Sequence, residues 1–167
     1  MKWYTAPIAL ATLAFGVRIA MFSTGLNKPE YLQYIIFMHM LLVLLSVFFA
    51  ARMSAYGSFE SSDAKLKAEL KAGIKGGLIY TAITAAMVFV YFSFIDINYF
   101  YLKQQQLIEG ATREGAQNLD QVVKSVESFF TVGNWTTLTL LSYSMLTFID
   151  ALLLALVNKW MGRFAKP

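Results

Sequence analysis

The sequence predicts an all-α fold: a four-transmembrane-helix bundle with an extramembrane helical hairpin between helices three and four. Three observations predict it. Of 167 residues, 57% are hydrophobic and only 14% are charged, whereas a soluble domain carries about a quarter charged residues. The apolar residues gather into four stretches, each long enough to cross about 30 Å of hydrocarbon at 1.5 Å per residue. The third and fourth stretches are separated by a polar segment, 98–134, too long for a structureless loop. A soluble chain with a mean hydropathy of +0.54 would expose large apolar patches and aggregate. The length suits a single integral membrane domain, 1–167.

The first span is expected at about 3–22, around Pro7-Ile8-Ala9-Leu10-Ala11. Lys2 is a thin positive region for a secretory signal, and Phe22-Ser23-Thr24-Gly25 is a poor cleavage site. Trp3 and Tyr4 read as interfacial anchors, so a retained helix is expected. The second span, about 31–51, is dominated by Ile35-Ile36-Phe37-Met38 and Leu41-Leu42-Val43-Leu44-Leu45. Gly25, Asn27 and Pro29 supply turn chemistry between the two spans.

The third span is expected at about 74–95 and the fourth at about 135–157. With no run of helix breakers, each should be a continuous helix that satisfies its own backbone amides in lipid. Ser62 and Asp63 suggest an N-cap and first turn. Leu66, Leu70 and Ile74 then recur at helical spacing with lysines between them, as in a short amphipathic helix running into the third span. Within 98–134, Gly110 and Gly115 divide two candidate helices, about 98–108 and 118–130. The second carries Leu119, Val122, Val123, Val126, Phe129 and Phe130 on one stripe.

Orientation follows from the placement of Lys and Arg. Both termini on the cytoplasmic side would put nine of them inside: Lys2, Arg52, Lys65, Lys67, Lys71, Lys75, Lys159, Arg163 and Lys166. Four would lie outside: Lys28, Lys103, Arg113 and Lys124. The expected location is a bacterial inner (cytoplasmic) membrane, with the 98–134 hairpin on the outer side.

Three ionisable residues within spans are the candidate functional or inter-helix polar residues, because charge is expensive there. Arg18 either snorkels to the outer headgroups or forms an internal ion pair or anion contact. His39, the one histidine, is expected at about the depth of Arg18; it is a packing residue or a member of a relay, although no carboxylate lies one turn away on its helix. Asp150 lies a couple of turns from the cytoplasmic end of span four, about 9 Å from Arg18 along the membrane normal. Arg52, Lys75 and Lys159 are its candidate partners, in a structural salt bridge or in ion coupling.

Thr136, Thr137, Thr139, Ser142, Ser144 and Thr147 suggest cross-helix hydrogen bonds. Gly73, Gly76 and Gly77, followed by Ala82, Ala85 and Ala86, suggest a small-residue packing face.

The sequence holds no cysteine, no Ser/His/Asp set, no HExxH motif and no Gly-x-x-x-x-Gly-Lys-Ser/Thr loop. No catalytic residue, metal or cofactor is therefore expected. The aromatics lie in or beside the spans rather than on a basic soluble face, so nucleic-acid binding is set aside.

The entry Ala72-Gly73-Ile74-Lys75-Gly76-Gly77 follows a polar basic loop. The aromatic exit Tyr91-Phe92-Ser93-Phe94-Ile95-Asp96-Ile97-Asn98-Tyr99-Phe100 leads into a charged helical excursion, and a short basic tail closes the fourth span. In this layout the chain resembles a family of small four-helix bacterial inner-membrane proteins of unknown function. The resemblance implies topology and carries over no site residue.

The expected partners are the lipid bilayer and other membrane protein subunits. The function expected is a non-catalytic accessory or assembly subunit of a larger inner-membrane complex. The alternative is a small oligomeric transporter or channel using Asp150, His39 and the hydroxyl-rich fourth span.

Overall fold

The computed structural model describes residues 2–26, 31–54 and 61–164. These residues form six α-helices and one π-helical segment, with no strand among them: α1 (Thr5–Ser23), α2 (Leu32–Ser54), α3 (Ser62–Val90), the π segment Tyr91–Ile95, α4 (Tyr99–Arg113), α5 (Leu119–Phe129) and α6 (Val132–Phe164). Four helices are long and apolar enough to cross a membrane: α1, α2, α3 continued by the π segment, and α6. Most of the expected turn at 24–30 and loop at 56–63 lies outside the described residues, as does the tail from 165.

Local chemistry explains where the helices start and stop. Pro7 sits in the first turn of α1, where a missing N–H costs no intrahelical bond. Gly25 ends that helix at φ 70°. The Gly25 and Leu26 amides close back on the Phe22 and Met21 carbonyls at 3.1 and 2.8 Å, the paired bonds of a Schellman cap. Gly115, at φ 69°, ends α4 in the same way, with Gly115 N–H on Thr112 and Ala116 N–H on Ala111. Gly110 does not divide the segment as expected. It lies inside α4, because an isolated glycine lowers helix propensity by only about 1 kcal/mol.

At the start of α3 the cap is Ser61 rather than Ser62: the Ala64 amide donates to Ser61 Oγ at 3.2 Å. From there one unbroken helix runs into the third span. Lys65, Lys67 and Lys71 are exposed, while Leu66, Leu70 and Ile74 are half-buried. The third span does not remain α-helical to its end. Its last turn widens so that the Asp96 amide reaches back to the Tyr91 carbonyl at 2.9 Å, five residues away. Consecutive Tyr91 and Phe92 are both buried across this wider turn.

The chain forms two compact units. The first comprises Met1–Thr84 and Leu140–Pro167. Its core joins Ala11 and Ala14 of α1, Leu42, Val43 and Val47 of α2, Tyr80 of α3 and Ala151 of α6. Glycines set the spacing of its helices. A Cβ on Gly76 would overlap that of Ala50 and sit 3.0 Å from the Ser46 carbonyl oxygen; one on Gly77 would lie 2.6 Å from Thr147 Oγ1 and 2.9 Å from Val47 Cγ2. The backbone of α3 therefore touches α2 and α6 directly, the close approach that small residues permit in membranes.

The second unit, Ala85–Thr139, holds the end of α3, the π segment, α4, α5 and the start of α6. An aromatic cluster organises it. Phe92 packs on Tyr99 and Phe100 at ring separations of 4.9 and 4.7 Å. Trp135 meets Phe100 at 6.0 Å and stacks on Phe130 at 6.2 Å. Helix α4 packs along α5. Gln104 Nε2 donates to the Phe130 carbonyl at 2.8 Å and the Glu127 carbonyl at 3.4 Å, and Asn134 Nδ2 donates to the Ser128 carbonyl at 2.6 Å. These bonds satisfy carbonyls that the end of α5 leaves open.

Candidate functional site

The polar side chains of the first unit collect along the faces that α3 and α6 turn toward each other. The antiparallel register is fixed at two points, Gly77 against Thr147 and Glu69 with Asn158. Spacings of three and four residues put positions on one helix face. Gly77, Thr81 and Thr84 therefore share a stripe on α3, and Tyr143, Thr147 and Asp150 share one on α6. All of these but half-buried Tyr143 are buried.

At one end of the seam, Asn158 Nδ2 donates to Glu69 Oε2 at 2.9 Å. Glu69 is buried although it lies among exposed lysines. At the other end His39 joins from α2. Its Nδ1 lies 2.6 Å from the Tyr80 hydroxyl, and its ring stacks on Tyr143 with centroids 5.6 Å apart and planes at 28°. Tyr80 has no solvent exposure. A buried phenol of this size is accommodated because its hydroxyl has a partner. Arg18 of α1 is half-buried and lies within electrostatic reach of the imidazole.

Asp150 sits between these two paired ends. It is 8% exposed, and its Oδ2 meets no hydrogen-bond partner among the described residues. The Thr81 and Thr147 hydroxyls are likewise buried without a partner there. Two of its three expected partners lie over aromatic rings instead: Arg52 over Phe48 at 5.6 Å and Lys75 over Trp3 at 5.9 Å. Lys159 is exposed.

The fourth-span hydroxyls divide into two groups. Thr136, Thr137 and Thr139 donate to their own helix, four residues back, at 2.8, 2.9 and 2.9 Å. Each is thereby satisfied without crossing to another helix. Thr147 alone of the six is buried.

Of the three residues singled out in the sequence, Arg18 and His39 lie within electrostatic reach of each other, and Asp150 lies in a different part of the seam. Tyr80, Tyr143, Glu69 and Asn158 complete the arrangement and were not anticipated. Their signal was a polar atom on an otherwise apolar helical stripe. Among the described residues no three His, Asp or Glu side chains come close enough to hold a metal.

Comparison with known proteins finds no matching family, no similar curated protein and no similar solved structure.

Proposed function

We propose that this chain is a multi-pass protein of the bacterial inner membrane that serves as a non-catalytic accessory or assembly subunit of a larger membrane complex. The observation that carries this reading is the use to which His39 is put. Its imidazole is held by Tyr80 and Tyr143 in a packed contact between helices, which is a structural employment for an intramembrane titratable group. Close approach at Gly76 and Gly77 supports the same reading, because it gives a rigid scaffold built from backbone contacts. In this proposal α4 and α5 form an extramembrane hairpin that offers a docking platform, with the cluster around Trp135 and Phe100 at the membrane interface. Both termini face the cytoplasm, on the balance of nine Lys and Arg against four.

Purification from native membranes in a mild detergent, followed by mass spectrometry, tests the proposal. A partner subunit recovered in fixed stoichiometry, and lost when the α5 stripe is made polar by Val123→Ser with Val126→Ser, is the expected result. Recovery of the chain alone, or as a homo-oligomer, contradicts it. The transporter reading rests on a different residue, Asp150, whose Oδ2 has no partner among the described residues. Flux in proteoliposomes that disappears in Asp150→Asn would favour it.

A further inference from the structure

An ionised carboxylate held in hydrocarbon without a partner is strongly unfavourable and requires a positive charge beside it. Asp150 is more than nine-tenths buried, and its Oδ2 accepts no hydrogen bond from the described residues. Among the described residues, the charged and titratable groups on the surrounding elements are engaged elsewhere or exposed. On α1, Arg18 lies within electrostatic reach of His39; on α2, Arg52 lies over Phe48. On α3, Glu69 is bonded to Asn158 and Lys75 lies over Trp3; on α6, Lys159 is exposed and Tyr143 stacks on His39. The nearest polar company along α6 is the Thr147 hydroxyl, one turn away and itself buried without a partner among the described residues.

Size and charge identify the missing cation. A single carboxylate balances one positive charge, and Mg²⁺ or Ca²⁺ would need six or more oxygen ligands. Close packing of α3 on α6 one turn from Asp150 favours the smallest cation, a proton. The helices touch at Gly77 and Thr147. We propose that Asp150, in the close-packed seam between α3 and α6, is a proton-binding site. The Thr147 hydroxyl is a neutral group on the same helical stripe, one turn away. The site stands independently of whether the chain is an assembly subunit, since co-purification of a partner does not depend on it.

Infrared difference spectroscopy on the full chain in liposomes, from acidic to alkaline pH, is the test. The expected result is a carbonyl-stretch band of a protonated carboxylic acid that disappears on raising the pH, is absent in Asp150→Asn and returns in Asp150→Glu. Circular dichroism confirms that each variant is folded. Should Asp150→Asn fail to fold, labelling of the unaltered protein with an apolar carbodiimide, which reacts with protonated carboxyls, decides the matter. Label on the peptide containing Asp150, declining as pH rises, is then expected. A band that persists in folded Asp150→Asn, an unlabelled Asp150 peptide, or protection of that peptide by sodium ions overturns the proposal.

Discussion

The hydroxyl of Tyr80 lies 2.6 Å from Nδ1 of His39, so the third and second spans are joined by a hydrogen bond between two largely buried rings. Tyr143 of α6 stacks on the same imidazole. One histidine thus ties three helices together at a single depth. Tyr80→Phe should lower stability by about 1 kcal/mol, the ordinary net worth of such a bond. The matching measurement is a double-mutant cycle with His39→Ala, read by thermal melting in detergent. Coupling of about 1 kcal/mol is expected, and strictly additive losses would show that the two side chains do not cooperate.

Substitution at the glycines of α3 should separate tight from open positions. Gly76→Ala and Gly77→Ala add a methyl where Ala50 and Thr147 already stand. Each should cost about 1–3 kcal/mol through overpacking. Gly16→Ala serves as the control, because a Cβ there meets nothing within 4 Å. It should be neutral, or stabilising by up to about 1 kcal/mol, because alanine loses less backbone freedom in a helix. Equal melting shifts for all three variants would refute the packing described for α3.

Asn158 supplies a hydrogen bond to buried Glu69. Removing one member of a buried polar pair leaves the other unsatisfied, at a cost of about 1–3 kcal/mol or more for a charged group. Asn158→Ala should therefore destabilise the protein more than the double change Asn158→Ala with Glu69→Leu, which removes both polar groups. Chemical denaturation of the two variants side by side reads the difference. A double variant that is less stable than the single would show that the pair is not what holds these side chains.

Gln104 is the strut between α4 and the end of α5. Gln104→Ala should free two carbonyls and weaken the end of α5 by about 1 kcal/mol. Hydrogen exchange by mass spectrometry should then show faster exchange confined to peptides covering 119–130. Unchanged exchange there would mean that the amide carries no share of the order in α5.

The four apolar helices were legible in the sequence because length and hydropathy suffice to find a span; hydrophobic runs such as Leu41-Leu42-Val43-Leu44-Leu45 leave little alternative. Gly73, Gly76 and Gly77 were legible as a packing face for the same kind of reason, since only small residues let backbones touch. Element ends were harder. Gly110 and Gly115 look alike in the sequence, and only the hydrogen bonds of the following residues make Gly115 the stop. The π segment at Tyr91–Ile95 left no readable mark, because the choice between a four- and a five-residue turn is made by how the rings of Tyr91, Phe92 and Tyr99 pack.

The site was half legible. A charge inside a span draws notice, which picked out Arg18, His39 and Asp150. The partners of His39 are tyrosines, residues common enough in spans to pass unremarked. The hydroxyls of Thr136, Thr137 and Thr139 suggested cross-helix bonds, but each has a nearer acceptor in its own helix.

The four-span arrangement requires α3 to cross a bilayer, with Lys65 before the crossing and Asp120 after it. The chain has no native cysteine, so Lys65→Cys and Asp120→Cys can each be labelled without background by a membrane-impermeant maleimide in intact cells. Labelling of Asp120→Cys from outside, with Lys65→Cys reached only after permeabilisation, is the predicted pattern. Labelling of both positions from the same side would contradict the four-span arrangement.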